Sequence, residues 1–147
     1  MNQKINWCQK QKKGLELIEP NDNVSQSYFN DADDSILTMN QIMGKWKIIT
    51  AYYACYNALY ALLIKAGIKC EIHDCTLELM PLFGFTPEQQ RFMKKLKQDR
   101  VDVQYYLKPM PIFDSAQIKK FVVFCKSLAE QLHEDNLNKL REDISQK

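Results

Sequence analysis

The chain has 147 residues, of which 46% are hydrophobic and 26% are charged, and its formal net charge is +2. These values predict one soluble domain with its own core, and they argue against a disordered chain and against nucleic-acid binding by net charge alone. Its four glycines lie far apart, which excludes the glycine-rich loops that bind phosphate in P-loop and dinucleotide-binding proteins: Gly14, Gly44, Gly67 and Gly84.

Helical spacing of apolar residues dominates the first part of the chain. We predict a short helix over Ile5–Lys12 and a connector over Leu15–Pro20. A second, amphipathic helix follows, with Asn23 as its N-cap, and it ends at Gly44. Gln26 stands three residues after Asn23, so the two form a weak capping box.

The third helix is predicted from Lys45 to about Ala66 and is apolar on nearly all sides, so we expect it to be the central helix of the core. Within it, Ile48–Ile64 carries no charge. This segment also contains Thr50, Asn57 and four tyrosines, which favours a buried helix over a membrane span.

The second half of the chain predicts three more helices. The fourth covers about Ile72–Leu82, and the fifth begins at Thr86, with a proline next and a glutamine three residues on, and runs to about Leu107. The last runs from Asp114 to Ile144, on the order of 45 Å, which is long enough to leave part of it for a partner. The expected fold is all-α, an up-and-down antiparallel bundle of five to six helices with a long C-terminal helix.

The cysteines and histidines do not form a familiar metal motif. His73 and His133 are sixty positions apart, and the spacing of Cys70, His73 and Cys75 matches no common zinc knuckle. We therefore expect no metal and no cofactor, and we expect His133 to be exposed. With a polar, lysine-rich N-terminus, the five cysteines are predicted to be reduced thiols of a cytoplasmic protein: Cys8, Cys55, Cys70, Cys75 and Cys125.

Arg100 breaks the pattern of the fifth helix, because it falls in the middle of the apolar stripe. A guanidinium cannot lose its charge, so a half-buried one needs an acceptor, a phosphate or a pocket open to water. Two interpretations stay open. One is a structural pair with a carboxylate or carbonyls, and the other is an anion-binding or catalytic arginine that faces a cleft. The stripe consists of Phe92, Met93, Leu96, Val103 and Leu107.

A polar stripe on the third helix is the second candidate for a site. Thr50, Tyr53, Asn57 and Tyr60 recur at three-to-four spacing on an otherwise apolar helix. These residues are either satisfied polar groups of the core or the lining of a nucleotide pocket opposite Arg100.

Several segments carry a family resemblance through their order and spacing. They are Ala51-Tyr52-Tyr53-Ala54-Cys55-Tyr56-Asn57-Ala58-Leu59-Tyr60, Gly67-Ile68-Lys69, His73, and Arg100-Val101-Asp102-Val103-Gln104-Tyr105-Tyr106. Together they resemble the HEPN domain family, and the opening Ile5-Asn6-Trp7-Cys8 with Ile18-Glu19-Pro20 is similar to an archaeal-type branch of it.

The resemblance implies an all-α bundle that commonly forms a homodimer and is often encoded beside a minimal nucleotidyltransferase. Many members are metal-independent ribonucleases of toxin–antitoxin or defence systems. Catalytic members carry a histidine four to six residues after the arginine, whereas here Tyr105 stands in that region after Arg100. A tyrosine with a pKa near 10 is a poor base, and an ideal helix separates it from Arg100 by about 140°.

Three functions therefore follow as expectations. The first is a HEPN-like accessory domain that binds a nucleotide, RNA or a nucleotidyltransferase partner around Arg100, Tyr53 and His73, with little or no turnover. The second is a metal-independent ribonuclease toxin, with Arg100 as the cation and Tyr105 or His73 as the base. The third is a structural, oligomerising bundle in which Arg100 is a satisfied ion pair.

Overall fold

The computed structural model describes residues 3–145 of the chain, and it is mostly helical, with 75% of residues in helices. The described part contains seven α-helices, one 3₁₀ helix and two short strands. In chain order they are α1 (Gln3–Lys10), β1 (Glu16–Leu17), α2 (Asp22–Gln41), α3 (Lys45–Lys65), β2 (Ile68–Lys69), α4 (His73–Glu78), the 3₁₀ helix (Met80–Phe83), α5 (Pro87–Tyr106), α6 (Ser115–Glu130) and α7 (Glu134–Ser145).

The prediction that the third helix is central is confirmed. Nearly all of α3 from Ile48 to Ile64 is buried, and α2, α5 and α6 all pack against it. The Ser25 hydroxyl of α2 donates to the carbonyl of Ala61 at 2.7 Å, which fixes α2 alongside the second half of α3. Within residues 3–145, no helix is both long enough and apolar enough to cross a bilayer.

The helix starts were predicted with mixed success. The capping box of α5 is confirmed, because the Gln89 backbone N–H donates to the Thr86 hydroxyl at 3.1 Å and the Thr86 N–H donates to the Gln89 side chain at 2.8 Å. The predicted cap at Asn23 is wrong. Asn21 caps α2 instead, its side chain accepting from the Val24 N–H at 3.0 Å, so the helix begins two residues earlier.

The predicted fourth helix over Ile72–Leu82 is divided into two short pieces. The α-helix α4 ends at Glu78, and a 3₁₀ helix of four residues follows. Pro81 lies in this second piece. It has no N–H to donate and its ring clashes with the carbonyl four residues back, so an α-helix cannot continue through it.

The prediction of a single long C-terminal helix is also wrong, because the helix is interrupted at Gln131–His133, which separates α6 from α7. Asn136 stabilises the break: its side-chain oxygen accepts from the His133 N–H at 2.6 Å, and its side-chain nitrogen donates to the Gln131 carbonyl at 3.1 Å. Glu134 and Asp135 then occupy the first turn of α7, where the helix dipole favours acidic groups. His133 is exposed, as predicted.

The predicted connector Leu15–Pro20 contains a strand. β1 pairs antiparallel with β2, with Glu16 opposite Lys69 and Leu17 opposite Ile68. From α7, one guanidinium nitrogen of Arg141 donates to three carbonyls beside this pair, with the shortest distances, to Ile18 and Gly67, at 2.8 Å. The C-terminal helix is thereby fastened to the end of α3.

The cysteines differ from the expectation of five reduced thiols. Cys8 of α1 and Cys75 of α4 form a disulfide, with their Cα atoms 5.8 Å apart. The two are separated by 67 positions, and only the packing of α1 against α4 brings them within bonding distance. The other three cysteines are free and buried: Cys55, Cys70 and Cys125.

Candidate functional site

Arg100 lies in the interior, between α5 and the tyrosines of α3. The residue is 6% exposed. Its guanidinium carbon stands 4.6 Å from the ring centre of Tyr52 and 5.6 Å from that of Tyr53. A cation over aromatic faces at these distances is attracted by the ring quadrupole, and the attraction strengthens where water is excluded.

The charge of Arg100 has no carboxylate beside it. Four ion pairs join side chains within residues 3–145, and none involves Arg100. One terminal nitrogen of the guanidinium donates to the side-chain oxygen of Gln104 at 3.1 Å, while the buried Nε has no hydrogen-bond partner. The expectation of a satisfied ion pair is therefore not met in the described part of the chain.

His73, the first residue of α4, reaches the same tyrosines from the other side. Its Nδ1 shares a hydrogen bond of 2.8 Å with the Tyr52 hydroxyl. Its ring stacks on Tyr56 with centroids 3.9 Å apart and an angle of 15° between the planes. The Tyr56 hydroxyl is bonded in turn to the Thr76 hydroxyl at 3.1 Å. We call Arg100, Gln104, Tyr52, Tyr56 and His73 the arginine–histidine cluster.

The environment of the cluster keeps its rings neutral. Burial lowers the pKa of His73, and the positive charges of Arg100 and Lys97 lower it further, against the opposing effect of Asp74. Burial raises the pKa of the Tyr52 hydroxyl, although Arg100 counteracts this, and it also raises the pKa of Tyr56. Near neutral pH, Arg100 is therefore the permanent charge at the centre of the cluster.

The four residues of the predicted polar stripe lie in different places. Tyr53 is beside Arg100, whereas the Thr50 hydroxyl donates to two carbonyls of its own helix at 2.9 and 3.0 Å. The Tyr60 hydroxyl accepts from the Cys70 backbone N–H at 3.1 Å, which makes it a satisfied core group. Asn57 is half-buried.

The row of tyrosines that forms one wall of the cluster is shifted from the predicted stripe. Tyr52, Tyr56 and Tyr60 follow one another at four-residue spacing, and each ring is roughly parallel to the next. The spacing is visible in the sequence as an i, i+4, i+8 pattern. It does not reveal which face of an all-round apolar helix meets α4 and α5, so sequence reasoning missed Tyr52 and Tyr56 as site residues. It also missed Gln104, the hydrogen-bond partner of Arg100.

Tyr105 lies closer to Arg100 than an ideal helix suggests. Its ring centre is 5.8 Å from the guanidinium carbon, although α5 stays helical through Tyr106. The separation of about 140° expected from an ideal helix therefore does not keep the two side chains apart, because the long arginine side chain reaches along the helix. Tyr105 is 64% exposed, so its side chain is accessible to a ligand that approaches from solvent.

A metal site at Cys70, His73 and Cys75 has no support. Cys75 is oxidised in the disulfide, and therefore offers no thiolate. Among residues 3–145 there is no group of three or more His, Cys, Asp or Glu side chains arranged to hold a metal ion.

The lowered pKa of His73 predicts a loss of stability in acid. In the unfolded chain a histidine titrates near 6.5, and in the folded protein His73 titrates below that value. Between the two pKa values the unfolded chain binds more protons, so the free energy of unfolding falls as the pH drops through this window and is fully present above it. Urea unfolding measured from about pH 7 to about pH 5 should show a smaller fall in the free energy of unfolding for His73→Gln than for wild type.

His133→Gln is the matched control for this experiment, because it removes the other histidine of the chain, which is exposed and lies in the break between α6 and α7. Its pH dependence should follow that of wild type. Parallel curves for wild type and His73→Gln would show that burial of the His73 ring does not govern the acid side of the stability profile.

Comparisons of the chain with protein-family models, with curated proteins and with solved structures find no match. A function is therefore inferred from the geometry of the arginine–histidine cluster and from the resemblance in sequence.

Proposed function

We propose that the protein is a HEPN-like domain that binds RNA or a nucleotide through a phosphate group at Arg100, as an accessory or toxin–antitoxin-type module. One observation carries this proposal: Arg100 is a buried, permanent cation that has, among residues 3–145, neither a carboxylate partner nor a hydrogen-bond partner for its Nε. A phosphate oxygen is the acceptor that a guanidinium fork matches best after a carboxylate.

The surroundings of Arg100 suit a nucleotide better than a simple anion. Tyr53 is half-buried and Tyr105 is largely exposed, and both rings lie within 6 Å of the guanidinium. Aromatic rings of this kind stack on bases, which contributes about 1–3 kcal/mol per base. The phosphate reaches Arg100 by displacing the Gln104 amide and by a rotation of the Tyr105 ring, because the guanidinium itself is almost fully covered.

The test is binding of a fluorescently labelled single-stranded RNA and of ATP to the purified protein. We expect saturable binding that weakens as salt is raised, since phosphate contacts release counterions. Tyr105→Ala should weaken RNA binding while leaving the fold intact, and Tyr28→Phe, a change on α2 outside the cluster, should not. Absence of binding to both ligands at low salt would refute the proposal.

A second candidate, a metal-independent ribonuclease, is favoured by the position of His73. If Nδ1–H donates to the Tyr52 hydroxyl, Nε2 is free to take the proton of a 2′-hydroxyl. The resulting oxygen attacks the adjacent phosphorus and Arg100 stabilises the added negative charge. The bond from phosphorus to the 5′-oxygen breaks, the 5′-oxygen takes a proton from water, and His73 returns its proton to the solvent. The products are a 2′,3′-cyclic phosphate and a free 5′-hydroxyl.

Cleavage of a labelled RNA in EDTA distinguishes the two candidates. A ribonuclease cuts under these conditions, loses cleavage in His73→Gln and keeps RNA binding in that variant. Cleavage that survives His73→Gln but not Tyr105→Phe would assign the base to Tyr105 instead. Binding without cleavage supports the accessory function.

We also propose a homodimer, with a minimal nucleotidyltransferase as a further partner, as the resemblance implies. The exposed apolar residues after the cluster support this part of the proposal: Tyr106, Leu107 and Ile112 are 68%, 76% and 101% exposed. Sedimentation of wild type and Ile112→Glu checks it. A wild-type monomer at micromolar concentration would contradict the homodimer.

A further inference from the structure

The Cys8–Cys75 disulfide lies directly beside the arginine–histidine cluster. Cys75 is two residues after His73 in the six-residue helix α4. Both sulfur-bearing residues are 1% exposed, and the bond joins α4 to α1. Because His73 is the first residue of α4, a movement of the first turn of this helix also moves His73.

The first turn of α4 has few other attachments on that side. In the described part of the chain, no side chain caps α4 at Ile72. Toward α3, the turn is held by His73, which bonds to Tyr52 at 2.8 Å and stacks on Tyr56, and by the hydroxyl of Thr76. The exposed pair of Asp74 with Lys97 at 2.6 Å adds a contact to α5. A partly exposed ion pair contributes little. The covalent bond at Cys75 is therefore the strongest constraint on the side of α4 that faces α1.

The helix α1 is the short element that the disulfide joins to α4. It has eight residues, two of them buried, and a helix this short is marginal by itself. It is also held by the Gln9 side chain, which donates to the Ile144 carbonyl at 2.7 Å, and by the Leu15 N–H, which donates to the Cys8 carbonyl at 2.9 Å. Proteins open locally in segments that have few buried contacts, and such an opening of α1 would expose the disulfide.

We propose that the Cys8–Cys75 disulfide is a thiol–disulfide exchange site, and that its reduction by a dithiol releases His73 from its position between Tyr52 and Tyr56. A consequence for phosphate binding rests on the function proposed above, whereas the effect on His73 does not. Oxidation holds the cluster in its assembled form, and reduction loosens it.

The exchange balances with a dithiol as the only co-reactant. One thiolate of the dithiol attacks a sulfur of the disulfide, which breaks the Cys8–Cys75 bond and forms a mixed disulfide. The second thiol of the reductant displaces the remaining protein sulfur and closes the reductant's own disulfide. Two electrons and two protons pass to the protein, and Cys8 and Cys75 become thiols.

The two histidines of the chain make the test direct, because the NMR spectrum contains one pair of ring C–H signals for each. In the oxidised protein the stacked Tyr56 ring shifts the His73 signals upfield, while those of the exposed His133 stay near ordinary positions. Addition of dithiothreitol should move the His73 signals toward those of His133 and leave His133 unchanged. Thiol titration in denaturant should rise from three to five as the disulfide opens.

Two variants separate this effect from general loosening. Cys8→Ser should show the reduced position of the His73 signals without any reductant. Cys70→Ser removes a buried thiol that forms no disulfide and lies five residues from Cys75, and its spectrum should match that of oxidised wild type and still respond to dithiothreitol. Circular dichroism confirms that each sample keeps its helices.

Three results would overturn the inference: five thiols before reductant is added, His73 signals that do not move when the thiol count reaches five, or signals of both histidines that move together. Labelled RNA, titrated into both redox forms, reports separately on the proposed function. Movement of His73 without RNA binding in either form leaves the exchange site standing and refutes the RNA proposal. RNA binding together with His73 signals that do not move on reduction supports the RNA proposal and refutes the effect of the disulfide on His73.

Discussion

Replacing Cys8 by serine is expected to lower the free energy of unfolding by roughly 3–4 kcal/mol, because a crosslink across a loop of this length restricts the unfolded chain. The disulfide closes 67 positions, which include α2 and α3, so much of the core lies inside the loop. The melting temperature should fall by about 10 °C. Urea and thermal unfolding of oxidised wild type and of Cys8→Ser measure both quantities.

Cys70→Ser is the matched control for the size of this effect. It introduces the same hydroxyl at another buried position, where the thiol donates to the Ile72 carbonyl at 3.4 Å, and we expect a loss of about 1 kcal/mol. Dithiothreitol should destabilise wild type to the level of Cys8→Ser and should not change Cys8→Ser itself. Equal midpoints for wild type with and without reductant would show that the crosslink contributes no stability.

The second large effect is expected at Arg100, where stability and binding should respond differently. Arg100→Leu should leave the free energy of unfolding within about 1 kcal/mol of wild type. Burying the guanidinium without a counter-ion costs desolvation energy, and this cost is absent in the variant because leucine is apolar. The same variant should lose RNA affinity by roughly 10- to 150-fold, the equivalent of one charge-assisted hydrogen bond. Fluorescence anisotropy and urea unfolding give the two numbers.

Arg91→Leu is the control for this variant, since it removes the same charge from an exposed position on the same helix. Its RNA affinity should fall by only a small factor, as expected for a distant, screened charge. If Arg100→Leu lost about 3–5 kcal/mol of stability and kept its RNA affinity, the side chain would be a structural group of the core and the phosphate site would be refuted. An equal loss of affinity in both variants would indicate net charge as the cause.

The lowered pKa of His73 gives the two proposed functions different pH profiles. A neutral His73 near pH 7 leaves Arg100 as the main attraction for phosphate, so binding should strengthen in acid as His73 gains a proton. Cleavage with His73 as the base should instead weaken over the same range, because a protonated imidazole accepts no proton. Binding and cleavage measured across one pH series therefore separate the two functions.

Local sequence determined most of the secondary structure. The apolar run of α3, the glycine after it and the capping box at Thr86 act within a few residues, so they were readable directly from the chain. The two wrong helix predictions overlooked local signals: Pro81 lies where α4 would have continued, and Asn136 bonds to the backbone of Gln131 and His133 at the break. Both follow from backbone hydrogen bonding rather than from long-range packing.

Local sequence indicated only some residues of the candidate site. The sequence indicated Arg100 as a site residue because its charge falls within an apolar stripe, and it indicated His73 because the chain has only two histidines. That Arg100 lacks a carboxylate, that Tyr52 joins it to His73, and that Cys8 meets Cys75 depend on how α1, α4 and α5 pack around α3. Helical periodicity specifies the faces of each helix but not which faces meet, and residues 67 positions apart become neighbours only through that choice.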